Sequence, residues 1–161
     1  MKPVPPLSLI PLEIITLAFL AHRITSSEFQ IEKITSIIAF GLHLQRFIIN
    51  KNLIIENSKK NWKYCILISL LIIYVVYNII YTKTSLICLG LIAAICQILG
   101  YYVFSKNSNI KFKMFNKYID IPIMILSIYN FYLLYKTNNR FSIVWSSDII
   151  YHIWEIYNYL M

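Results

Sequence analysis

Near the end of the chain, Asp148, His152 and Glu155 fall at i, i+4 and i+7. On a helix this spacing puts three ionisable groups on one face. Tyr159 continues the stripe, and Tyr151 and Asn158 flank it. Carboxylates beside an imidazole can hand protons along, because imidazole titrates near neutral pH. The same donors, one imidazole nitrogen and two carboxylate oxygens, can hold a divalent metal. They could also supply a general base and its orienting partner for a hydrolysis. A structural role competes with these: the acidic face can lie in water while Trp145 and Trp154 anchor an interfacial helix, or it can seal against a neighbour as a polar seam.

A second group sits earlier. His43 and Arg46 are spaced i, i+3, with Gln45 beside them, and Glu13 lies within the first apolar stretch. Pairing Glu13 with His43 or Arg46 across two adjacent helices relieves the burial cost of both charges. The competing reading puts Glu13 near an interface on a short tilted helix and lets Arg46 snorkel to lipid head groups.

These residues need elements to hold them, and the composition says which. Hydrophobic residues make up 58% of the 161 and charged residues 14%, with a mean hydropathy of +0.63. That leaves too little polar material for the surface of a soluble domain. A membrane helix needs roughly 20 apolar residues to cross about 30 Å of hydrocarbon. Six stretches qualify or nearly so: 7–22, 34–50, 64–81, 85–104, 118–135 and 141–161. The joints are short, so neighbours are expected to pack as antiparallel hairpins. The expected fold is all-α, a polytopic membrane bundle of about six transmembrane helices forming a single domain over 1–161. Period-2 alternation is absent, which disfavours a β-barrel.

Residues around Ser8 and Ser69 recur around Ser85 and Ser146, hinting at a 3+3 internal repeat of the inverted kind used by many transporters. The 3 glycines are scattered and form no GxxxG, so packing falls to large Ile and Leu side chains. The abundance of Ile, Lys, Asn and Tyr follows AT-rich codons. That discounts the 13 tyrosines as a recognition signal and leaves interfacial belts as their best structural use.

The net charge of +8 reads as membrane topology rather than nucleic-acid binding. Ten of the 15 Lys and Arg fall on the side of the N-terminus and the 51–63 and 105–117 joints, five on the other. Both termini are therefore expected in the cytoplasm, with the two basic joints holding anionic lipid head groups. Cys65, Cys88 and Cys96 lie in apolar runs without a CxxC, so no disulfide or zinc framework is expected. No motif calls for a cofactor. HExxH, HxxxH, a P-loop and a potassium-filter pattern are all absent from the sequence.

Function is read as transporter- or channel-like, moving a proton, ion or small polar solute past Asp148, His152 and Glu155, with Glu13, His43 and Arg46 opposite. The alternative is a non-catalytic subunit that pairs its polar seams with membrane partners or further copies of itself. An intramembrane metal-dependent hydrolase using Asp148, His152 and Glu155 ranks last.

Overall fold

Buried residues repeat along the second helix at intervals of 4, 3, 4, 3 and 4, at Glu32, Ser36, Ala39, His43, Arg46 and Asn50, and all but Ala39 are polar. A 3.5-residue repeat is the spacing of a helix seam facing its neighbours, so this helix turns its polar stripe inward. Its other face exposes Ile31, Ile34, Ile37, Ile38, Ile48 and Ile49. The computed structural model describes residues 9–81 and 118–160. Among these the fold is all helical, with no strand. The helices are α1 (Ile10–Ser26), α2 (Gln30–Lys60), α3 (Trp62–Tyr81), α4 (Asp120–Lys136) and α5 (Ser142–Leu160).

Local chemistry explains the boundaries. Pro11 sits in the first turn of α1, where its missing N–H costs nothing. The neighbouring Ile10 N–H, also without a helical acceptor, donates to Ser58 Oγ at 2.9 Å. α2 ends at Asn61, whose backbone N–H bonds the Asn57 carbonyl. After α4 the chain closes a Schellman turn: Asn139 N–H reaches the Leu134 carbonyl at 2.9 Å, Asn138 N–H reaches Tyr135 at 3.0 Å, and Asn138 takes the left-handed conformation at φ 55°. Asn is among the few residues that adopt it readily.

Contacts fix the helix directions. α1 and α2 form an antiparallel hairpin, tied by Ile10–Ser58 at one end and by Arg23–Glu32 at the other. α3 runs parallel to α1: Leu9 packs with Ile68, and Leu12 against the same cluster as Ile72. α4 is antiparallel to α2, through Arg46–Asp120 and Thr35–Asn130. α5 returns antiparallel to α4, with Asp148 beside Ser127. The start of α1 and the end of α5 therefore share one end of the bundle. The main apolar core lies at the opposite end, where Leu20, Ala39, Leu134 and Trp145 meet, with Phe19 and Phe141 packed against them.

The segment 51–63, expected as a joint, is helical up to Lys60. Nothing in it breaks a helix, and the i, i+4 pair of Glu56 with Lys60 at 2.7 Å supports one. The Lys60 ammonium holds the exposed Glu56 carboxyl below its ordinary pKa. Of the six expected spans, one described helix, α3, is long and apolar enough to cross a membrane, and 22% of its apolar window is buried. α1 and α4 have 17 residues each, at the lower bound for spanning, and α2 and α5 are more polar along their length. The expected span 85–104, the basic joint 105–117, Cys88 and Cys96 lie outside the described residues. The expected repeat pairs 7–22 and 64–81 with 85–104 and 141–161, and one of these four segments, 85–104, lies outside the described residues.

Candidate functional site

The polar stripe of α2 meets two others. On α4, Asp120, Ile123, Ser127, Asn130 and Leu134 are buried at alternating intervals of 3 and 4. On α5, Ser147, Tyr151 and His152 are buried. Three helices thus carry a ladder of polar groups between them, and its rungs can be followed by distance.

At one end Arg46 Nη1 pairs with Asp120 Oδ1 at 3.3 Å. Its Nη2 donates to the Tyr151 hydroxyl at 2.7 Å, and the guanidinium lies 5.5 Å from the centre of the Tyr151 ring. Asp120 opens α4, where a carboxylate also suits the positive end of the helix dipole. The same Asp120 oxygen faces His152 Nδ1 at 4.0 Å. The other ring nitrogen, His152 Nε2, faces Asp148 Oδ1 at 3.7 Å. The second Asp148 oxygen accepts a short hydrogen bond from Ser127 Oγ. The His43 ring, from α2, stands 6.4 Å from the His152 ring. His152 is fully buried, and Arg46, Asp120 and His43 nearly so.

A cavity of about 560 Å³ opens against this ladder. Its wall is mostly apolar, from Ile15 and Phe19 of α1 and Ile72, Val75 and Ile79 of α3. His43, Ser147 and Asp148 bring polar atoms to it. One aspartate thus touches both the ladder and the cavity.

The chain returns no match among family models, curated proteins or solved structures. The site is read from its own geometry.

Of the residues the sequence singled out, His43, Arg46, Asp148 and His152 come together. Asp148 and His152 are the i, i+4 pair of the expected stripe, and the side chain of Glu155 lies outside the described residues. Glu13 is buried on α1, at 5% exposure. The residues that sequence reasoning missed are Asp120 and Ser127, the contact of the flanking Tyr151 with Arg46, and a second ionic site at the far end of the bundle. There Arg23 donates two hydrogen bonds of 2.7 Å to the two oxygens of Glu32. Ser27 Oγ donates to the same carboxylate, and the Phe141 ring covers the guanidinium at 4.4 Å. The signal for Asp120 and Ser127 was present: both fall on the 3–4 repeat of α4, as the α2 residues do on theirs.

Proposed function

We propose that this chain is a small multi-pass integral membrane protein that moves a cation or small polar solute through the polar interior between α2, α4 and α5. The observation that carries the reading is an inverted distribution of polarity. Charged and hydrogen-bonding side chains are buried, while aliphatic side chains cover the outside.

The outer faces also carry the marks of a bilayer. α3 exposes Trp62 and Tyr64, then Ile66, Leu67, Leu70 and Ile73, then Tyr77 and Tyr81. α4 repeats the order: Tyr118 precedes exposed Ile121, Ile125 and Ile128, and Tyr132 and Tyr135 follow. Trp and Tyr favour the two membrane–water interfaces. The outermost aromatics are about 29 Å apart on α3 and about 26 Å apart on α4, at about 1.5 Å per residue. The hydrocarbon core is about 30 Å thick. Because α3 and α4 point the same way, their belts fall at common levels. The reading takes α1, α2 and α5 as further spans; the sixth expected span, 85–104, lies outside the described residues. Lys51, Lys59, Lys60 and Lys63 gather at the end shared by the start of α1 and the end of α5. The positive-inside rule puts that end in the cytoplasm and offers it to anionic lipid head groups.

The interior suits a cation. Asp148 lines the cavity, accepts a hydrogen bond from the Ser127 hydroxyl and lies 3.7 Å from the His152 imidazole. In surroundings of low dielectric a carboxylate attracts a positive ion far more strongly than it does in water. A subunit that used these groups to bind another chain would turn them to an outer face; Asp148 and His152 point between helices of their own chain.

The test is flux across proteoliposomes containing the purified chain, followed with ion-sensitive dyes under an imposed gradient. Uptake above empty vesicles that falls in Asp148→Asn is the expected result. Vesicles as tight with the protein as without it would rule out transport.

A further inference from the structure

We infer that His43, Asp148 and His152 form a binding site for a divalent transition-metal ion of the zinc class, with an open coordination position facing the cavity. The inference rests on the reading of the interior as a cation path and names the cation.

Three observations meet at this point. The first is convergence. One ligand atom from each of the three residues lies within 4.8 Å of the others, although His43 belongs to α2 and the other two to α5. Tetrahedral zinc with bonds of about 2.0–2.1 Å sets its ligand atoms about 3.3 Å apart. The His152–Asp148 pair, at 3.7 Å, is already close to that, and small side-chain rotations bring in His43.

The second observation is orientation. A metal-binding histidine usually turns its other ring nitrogen to a carboxylate or carbonyl, which fixes the tautomer and strengthens the ligand. The two ring nitrogens of His152 each face a carboxylate at ion-pair distance. Its Nε2 faces Asp148, and its Nδ1 faces Asp120 at 4.0 Å. Asp120 is in turn held by Arg46, and Asp148 is oriented by Ser127 through the oxygen that does not face the imidazole.

The third observation is access. His43 and Asp148 both line the cavity, so an ion held by the three ligands has a face open to water or a passing ligand. Two imidazoles and one carboxylate suit zinc, iron(II) or cobalt(II); magnesium and calcium prefer all-oxygen sites. The site differs from the Asp148, His152 and Glu155 set that sequence spacing suggests, because its third ligand comes from another helix.

The experiment is cobalt(II) titration of the purified full-length chain in nanodiscs, read by visible absorption. The inference expects one cobalt per chain with the intense bands of a tetrahedral site, displaced by zinc and not by magnesium. His43→Ala and His152→Ala should each weaken binding more than 100-fold. Asp120→Asn, which removes the charge facing His152 and pairing with Arg46 but no proposed ligand, should weaken it about 10–100-fold, and Glu56→Gln at the exposed end of α2 should leave it unchanged. Because loss of a buried group can unfold a bundle, X-ray absorption of the zinc-loaded wild-type protein gives a second reading. Two imidazole nitrogens and oxygen at about 2.0–2.1 Å are expected. Folded wild-type protein that binds no cobalt, binding unchanged by His43→Ala, or a zinc spectrum without imidazole would each overturn the site. The two proposals separate cleanly. Cobalt binding without flux keeps the site and removes transport, and flux through a protein that binds no cobalt does the reverse.

Discussion

Arg23 and Glu32 illustrate what a single buried pair does here. Their two hydrogen bonds, the Ser27 hydroxyl and the Phe141 ring satisfy both charges. Removing one partner strands the other, which costs about 3–5 kcal/mol, whereas replacing both with apolar groups is often neutral or stabilising. Arg23→Met should therefore lower thermal stability strongly in detergent, and Arg23→Met with Glu32→Leu should recover most of the loss. Comparing the two melting curves checks this. Ser36 offers the opposite case. It is fully buried, and its hydroxyl has no hydrogen-bond partner among the described residues, so it bears a desolvation cost of about 1–3 kcal/mol. Ser36→Ala is expected to raise the unfolding midpoint; a fall would mean that the hydroxyl has a role.

At the scale of elements, the sequence located most of the helices because apolar runs between polar joints are strong signals. It misjudged α2 at both ends for a physical reason. Charge alone does not stop a helix, and 51–60 contains neither Gly nor Pro, so Lys51 to Lys60 continues it, and Glu32 lies on it just before the apolar stretch begins. The pairing of Arg46 was legible only as a need. Its partners Asp120 and Tyr151 are 74 and 105 positions away, and no local spacing encodes that. What did encode the site was a 3–4 repeat on α2 and α4 in which polar residues alternate with Ala39, Ile123 and Leu134, marking the buried face even where that face is polar. The exposed faces give a sharp prediction. Leu70 and Ile125 are 60% and 58% exposed near the middle of α3 and α4. In lipid, Lys at either position should cost about 2.5–3.5 kcal/mol; on a water-facing surface it should stay within about 0.5 kcal/mol. Membrane insertion of Leu70→Lys and Ile125→Lys, scored against wild type, tells these apart.

At the scale of the whole molecule, the described bundle buries charged and hydrogen-bonding side chains and exposes aliphatic ones. The inside can be probed through flux. A carboxylate about 4 Å from a cation is worth roughly 4 kcal/mol at an effective dielectric constant near 20. Asp148→Asn should then cut cation flux by at least about tenfold, with the variant still folded by circular dichroism. The most direct single measurement uses cysteine accessibility in proteoliposomes, with the three native cysteines replaced. Single cysteines go to positions 70, 125 and 148, and each is challenged with a small, water-soluble, membrane-impermeant thiol reagent. The account requires Cys at 148 to react through the cavity while those at 70 and 125 stay protected by lipid. Rapid labelling at 70 and 125, with 148 protected, would contradict it.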